Sequence, residues 1–425
     1  MSILIKNVNI VNSTGVESSV DIYIENSIIK DIKKNLDIEV QKIIDARGLY
    51  VLPGLVDAHC HLRDPGYEYK EDISTGSRSA AKGGFTSIAC MPNTDPVADN
   101  PAVVTYIIEK AKKEALVNVY PIGAITKGQK GEELAEMGSM KEAGIVAVSD
   151  DGRPVMKSSV MKKALIYASQ FNLPVISHCE DLDLAEEGSM NEGFMSTKLG
   201  LRGIPAAAES VMVARDVLLS EYTGIPVHIA HVSTKSSVEI IRNAKKNGVK
   251  VTCETCPHYF TLTEEACEGY DTNAKMNPPL RTQEDVEAII EGLKDGTIDI
   301  IATDHAPHHF DEKNVEFDNA PNGIVGFETA LSLSYTALVE TKVITLPQLV
   351  EKLSTGPARI LNLKKGVIDV NEDADLILVD FDTEYTIDVS EFASRGKNSP
   401  FDGFKVKGKN MMTIVGGKIV YVADD

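Results

Sequence analysis

The chain has 425 residues, 43% of them hydrophobic and 25% charged, a balance that supports a sizeable core and excludes bulk disorder. A formal net charge of -20 argues against a general nucleic-acid binder or a partner of anionic membranes, yet it permits a small acidic substrate, which needs only local positive charge. No apolar run reaches the roughly 18 residues of a membrane span, and residues 1–6 lack the pattern of a signal peptide, so the expected location is the cytoplasm. The six cysteines fall mostly within apolar runs, which favours reduced thiols over a disulfide framework. Cys253 and Cys256 form one Cys-x-x-Cys, but no second pair is present to complete a structural zinc site.

In chain order, residues 3–11, 21–32 and 43–51 read as short alternating strands with turn residues between them. Eight apolar runs follow, at 55–63, 85–93, 119–126, 145–151, 173–178, 227–232, 250–256 and 298–304. Helical stretches are expected between them at 71–82, 102–113, 159–170, 206–220, 236–247 and 282–293. Near-continuous apolar strands alternating with helices predict an α/β fold, a closed parallel (β/α)8 barrel of the TIM type in preference to a doubly wound sheet. Residues 374–380 and 411–422 return to the short-strand style, with a hairpin at Gly416-Gly417. Both termini are therefore expected to build one small β-sandwich domain, 1–53 plus 368–425, beside a barrel spanning 54–367.

Active sites of parallel barrels form at the C-terminal ends of the strands. The first run ends in His59-Cys60-His61-Leu62-Arg63. In an extended strand alternate side chains share a face, so two imidazoles suited to a metal and a guanidinium fork suited to a carboxylate would point the same way. The fourth run ends in Asp150-Asp151, the fifth in His178, the sixth at His231 and the eighth in Asp304. Histidine or aspartate delivered by five strands to one end points to metal ligation, and the set exceeds one tetrahedral site. It suits two ions about 3.5 Å apart, one held by His59, His61 and Asp304 and the other by His178 and His231, bridged by a carboxylate and a hydroxide. Imidazole nitrogens with carboxylate oxygens favour zinc, though manganese, cobalt or iron also suit them. Asp304 is in addition the candidate general acid/base. His228, three residues before His231, is expected on the opposite strand face in a structural role, His258 in a packing or supporting role, and His305 and His309 as loop groups. The polar segment 307–321 reads as a lid beside the site.

These motifs resemble the amidohydrolase superfamily and, within it, the dihydroorotase family in its long bacterial class. The resemblance is carried by Asp57-Ala58-His59-Cys60-His61-Leu62-Arg63, Met91-Pro92-Asn93-Thr94, Ala302-Thr303-Asp304-His305-Ala306-Pro307-His308 and the stretch from Ala320 to Glu328, and it covers nearly the whole chain. It implies reversible cyclisation of N-carbamoyl-L-aspartate to L-dihydroorotate in pyrimidine biosynthesis, with two zinc ions bridged by Asp151, rather than Asp150, and hydroxide. It also implies substrate binding by His61, Arg63, Asn93, Asn277 and His308, and by the backbone around Asn322 and Gly323. Asn322 departs from the apolar residue expected there. Hydantoinases bridge their metals with a carboxylated lysine on the fourth strand, and residues 147–151 offer none; Lys141 and Lys157 lie outside the strand end. A homodimer and association with aspartate transcarbamoylase are partners that the resemblance suggests. The rivals are a hydantoinase- or allantoinase-type cyclic amidase, whose substrates need no ring carboxylate, and a non-catalytic relative, which would typically have lost ligands that this chain retains.

Overall fold

The computed structural model describes residues 2–423. Eight strands pair in parallel and in sequence order: Leu55–Cys60, Phe85–Cys90, Asn118–Gly123, Ala147–Ser149, Val175–Ser177, Val227–Ile229, Val251–Thr255 and Ile300–Ile301. The last closes on the first through backbone bonds beyond the eighth strand itself. His61 N–H donates to His305 O at 2.8 Å and Asp304 N–H to His59 O at 3.0 Å. The barrel is thus sealed by backbone bonds at its C-terminal end, and the closing register sets His59, His61 and Asp304 side by side.

Period-two alternation explains the core on both sides of this wall. Val148, Val175, Val227 and Ile229 pack outward against Leu165, Val213 and Ile241 of the surrounding helices. Ala58, Ala89, Ile122, Ala147, Ile176, Ala230 and Ile300 form a separate inner cluster, rich in alanine where eight strands converge. The expected helices are present as Ile73–Lys82, Pro101–Glu114, Ser158–Ser169, Ala206–Thr223, Lys235–Lys246 and Gln283–Asp295. Three of them begin with side-chain caps, Asp72 accepting from Thr75 N–H, Asn100 from Ala102 N–H and Thr234 from Ser237 N–H.

The termini join in one mixed sheet, in which Val51 pairs with Leu378 and Leu52 with Ile377 to link the two ends of the chain. Its core is a cluster of its own, centred on Ile3, Ile5, Ile22, Ile24, Leu376 and Ile414. Two expectations are corrected here: 43–51 is divided between the strands Lys42–Asp45 and Tyr50–Pro53, and 21–32 is not a single strand. It contains the end of Gly15–Glu25 and most of Ile28–Lys33, joined by a two-residue turn at Asn26 (φ 49°) and Ser27 (φ 72°). Two consecutive left-handed residues match the tight hairpin geometry, and serine in place of the usual glycine hides the turn from a sequence reading. No helix of the described residues is long and apolar enough to cross a membrane.

Candidate active site and metal centre

At the mouth of the barrel His59, His61, Asp151, His178, His231 and Asp304 converge. Asp151 is the hub: its Oδ1 lies 3.3 Å from His59 Nε2, 3.5 Å from His178 Nδ1 and 3.5 Å from His231 Nε2, and its Oδ2 lies 3.4 Å from His61 Nε2. Asp304 Oδ1 stands 3.0 Å from His61 Nε2 and 3.5 Å from His59 Nε2. Two groups that could each hold a metal ion therefore share one carboxylate, His59 and His61 on one side and His178 and His231 on the other. Asp150, the neighbour that competes for this role in the sequence, is turned away. Its carboxylate accepts from Ile125 N–H at 2.8 Å, Thr126 N–H at 3.1 Å and the Thr126 hydroxyl.

Two of these residues, His231 (φ 32°) and Asp304 (φ 47°), and the nearby Arg63 (φ 61°) have left-handed backbone, which is uncommon outside glycine. The kinks re-aim side chains that strand alternation alone would misplace. The first strand ends at Cys60, so Arg63 reaches the site from a turn and not along an extended face. The expected opposite-face placement of His228 also fails: His228 Nε2 and His59 Nδ1 meet the two oxygens of one buried carboxylate, Glu254, at 3.1 and 2.6 Å. Because the chain kinks at His231, counting residues back from it does not give the facing of His228. The role expected of His228 is nevertheless structural, and its other nitrogen is paired with the Thr252 hydroxyl at 2.8 Å.

The residues fit a metal centre. His59 Nε2 is buried with no hydrogen-bond partner among the described residues, an arrangement that costs free energy unless something else engages the nitrogen. Its Nδ1 is tied to Glu254, while His61 Nδ1 faces Asn93 Oδ1 at 2.9 Å, so each ring is held with Nε2 toward the cluster. His178 uses the opposite nitrogen, with Nε2 paired to Glu180 Oε2 at 3.2 Å and Nδ1 only 2.7 Å from His231 Nε2. Burial works against charge on His59, yet Asp151, Asp304 and Glu254 outweigh it and hold its pKa well above the ordinary value. Burial likewise opposes ionisation of Asp151, and the surrounding imidazoles pull its pKa well below the usual range. A field that attracts protons so strongly also attracts a metal cation.

Beside the ligands lies a cavity of about 210 Å³, bordered by Arg63, Asn93, Asn277, Ala306, Asn322 and Gly323 as well as by His61, Asp151, His178 and Asp304. His308 stands behind this wall: its Nδ1 is 3.4 Å from Lys70 Nζ, and its Nε2 is 2.8 Å from Asn322 O. Lysine can only donate, so Nδ1 accepts and Nε2–H donates to the carbonyl. Burial first, then Arg63, Lys313 and Lys70, hold the His308 pKa well below the ordinary value, so the ring is neutral. Arg63 Nε donates to Pro307 O at 3.2 Å, its Nη2 lies 3.3 Å from His308 Nε2, and its side chain borders the cavity.

Three supporting carboxylates escaped the sequence reading. Asp57 accepts from Thr303 N–H at 3.0 Å, the Thr303 hydroxyl at 2.6 Å and His59 N–H at 3.2 Å, binding the first strand to the eighth. Glu254 holds His59, and Glu180 links His178 to Asn277 Nδ2 at 3.0 Å. Each is an acid within or beside an apolar strand, the kind of residue rarely buried unless paired, and that was the available signal. His258 is buried against Tyr259 with ring centroids 4.2 Å apart, and His305 is stacked on Phe327 at 4.0 Å; His309 caps the short helix Phe310–Lys313.

Comparison with known proteins agrees with this geometry. Residues 48–237 match the family described as Dihydro-orotase-like. The chain is 64% identical over 418 residues to a dihydroorotase of Acetivibrio thermocellus and 62% identical over 418 residues to one of Ruminiclostridium cellulolyticum, covering 98% of each chain in both pairs. Among solved structures, an L-hydantoinase from Arthrobacter aurescens matches with TM-score 0.89 over 100% of this chain and 97% of its own, at 27% identity. A dihydropyrimidinase from Brevibacillus agri matches with TM-score 0.88 over 99% of this chain and 95% of its own, at 25% identity. The hydantoinases share the barrel at a distance, whereas near full-length identity of this order, on a chain whose fourth strand offers an aspartate and no lysine, leaves one assignment: the chain belongs to the dihydroorotase family.

Proposed function

We propose that the cavity beside Asp151 is where this chain, as a dihydroorotase, interconverts N-carbamoyl-L-aspartate with L-dihydroorotate and water for de novo pyrimidine biosynthesis. His59, His61 and Asp304 would hold one divalent ion and His178 and His231 a second, with Asp151 between them and zinc favoured by the donor set. Bound there, the pair would lower the pKa of a water toward ~7 and polarise the carbonyl under attack. Arg63 receives the ring carboxylate, because its fork matches a planar anion and its terminal nitrogens are not used by an acid among the described residues. Asn93 and Asn277 border the ring, each already oriented by a partner in the ligand layer, His61 and Glu180. His308 fixes the Asn322 carbonyl and so the Asn322-Gly323 backbone that closes over the substrate. In the hydrolytic direction the ring C–N bond breaks as a C–O bond forms, and Asp304 carries the proton from the adding water to the departing nitrogen. Ring closure is the reverse.

The observation that carries this reading is Arg63 in the same cavity as the ligand cluster. A cyclic amidase for uncharged rings has no use for an anion receptor at that point. Parallel assays with dihydroorotate and dihydrouracil test it: faster turnover of dihydroorotate supports the reading, and preference for dihydrouracil overturns it. A cytoplasmic setting, a homodimer and association with aspartate transcarbamoylase belong to the same reading. Sedimentation of the purified chain, alone and mixed with that transferase, tests the last two.

A further inference from the structure

The walls of the cavity do not support themselves. Residues 306–308 and 322–325 come from either side of a long connection, and Gly323 packs so close to Ala306 that an added Cβ would lie 2.6 Å from the Ala306 Cβ. Between them, from the far end of the sequence, comes the buried side chain of Asn398. Its Nδ2 donates to Ala306 O at 3.0 Å and to Gly323 O at 3.0 Å, and its Oδ1 accepts from His308 N–H at 3.0 Å. Its own carbonyl accepts from Val325 N–H at 2.9 Å. Both amide donors are therefore used, one on each wall, and no other side chain of the same length offers two donors and an acceptor in this arrangement.

The segment that delivers Asn398 is itself anchored. Ala393 and Ser394 N–H donate to the Glu328 carboxylate, at 2.9 and 3.1 Å, and the Ser394 hydroxyl donates to Glu71 Oε2 at 2.5 Å. Gly396 allows the close pass: a Cβ there would stand 2.8 Å from Pro307 Cβ. Asn398 does not border the cavity, so it has no contact with a bound ring.

We infer that Asn398 is a positioning residue for dihydroorotate binding, holding the His308 wall and the Gly323 wall at the separation the substrate requires. The inference rests on the assignment of that cavity to substrate. Neither wall carries a metal ligand, so the effect falls on binding and not on metal content.

The test is steady-state kinetics with dihydroorotate on the metal-loaded enzyme and on Asn398→Ala, His308→Ala and the double variant, with metal content measured on each. Asn398→Ala is expected to raise KM at least about tenfold while kcat stays within about threefold and metal content is unchanged. Because the His308 ring and the Asn398 amide steady the same Asn322-Gly323 backbone, through the Asn322 and Gly323 carbonyls, their effects on KM should be less than multiplicative in the double variant. Should alanine fail to fold, Asn398→Asp keeps the shape and the His308 bond but sets an oxygen against two carbonyls, and the same KM rise is expected. An unchanged KM in an active variant, or effects of Asn398→Ala and His308→Ala that multiply in full, would overturn the inference. Wild-type protein that fails to turn over dihydroorotate would instead overturn the substrate assignment itself.

Discussion

His59 and Glu254 are both fully buried and meet at 2.6 Å, Nδ1 to Oε1. That contact fixes the tautomer of the ring and turns Nε2 toward Asp151, while the other oxygen of Glu254 takes up His228. A carboxylate behind a metal-binding imidazole raises its basicity as well as aiming it. Glu254→Gln is expected to lower metal affinity about 10- to 100-fold with the ligands themselves intact. Titration of the metal-stripped variant against a competing chelator measures this, and wild-type affinity would refute the supporting role.

Two substitutions separate chemistry from binding. Asp304→Asn keeps the shape beside His61 but loses the group proposed to move the proton, so kcat should fall about 10²- to 10⁴-fold with a smaller change in KM. Arg63→Ala removes a charge-assisted contact to the substrate carboxylate, of the order of 1.5–3 kcal/mol, and should raise KM about 10- to 100-fold. Near-normal kcat in the first variant, or an unchanged KM in the second, contradicts the roles given to them.

Much of this site was legible in the sequence because strand ends fall at fixed places. His59, His61, His178 and Asp304 close apolar runs, and a parallel barrel brings such ends together whatever the intervening helices do. Legibility stops where the backbone leaves its regular period. Arg63 was read along an extended face and reaches the cavity through a left-handed turn; His228 was read on the wrong face because His231 kinks. Asn398 gave no signal at all, since its meaning lies in contacts 75 and 92 residues away in the chain. Segment 307–321, whose polarity and length suggest a lid, is held by two lysines whose partners no local pattern reveals. Lys275 Nζ donates to Phe317 O at 2.7 Å and Asp318 O at 2.9 Å, and Lys313 Nζ to Thr272 O at 3.0 Å and Pro321 O at 2.8 Å.

Lys313 makes a pH prediction. Burial first, then the charge of Lys275, with Arg63 adding to it and Asp271 and Glu312 opposing, pulls its pKa down to about 7. Unfolded, the same amine titrates near 10.4. Between those values the unfolded chain binds the extra proton, so this group's contribution to stability improves as pH rises through that window and is flat below it. Comparing wild type with Lys313→Met in denaturant at pH 5, 6, 8 and 9.5, the wild type should gain on the variant from pH 8 to 9.5 and show no gain from pH 5 to 6. A difference independent of pH would mean that Lys313 keeps an ordinary pKa.

Asp151 touches all four histidines of the cluster, which makes metal stoichiometry a test of the bridge. If it is shared by two ions, removing it weakens both sites, whereas removing an outer ligand weakens one. His231→Ala should therefore retain about one equivalent of metal after dialysis against buffer, and Asp151→Ala well under one, both read by elemental analysis without reference to activity. Thermal unfolding gives a second readout, because a ligand that binds only the folded state raises the midpoint with its concentration. Added zinc should raise the midpoint of stripped wild type most, of His231→Ala less and of Asp151→Ala least. Equal metal content in the two variants would show that the carboxylate belongs to one ion alone, and the pairing of His59 and His61 against His178 and His231 would then have to rest on some other group.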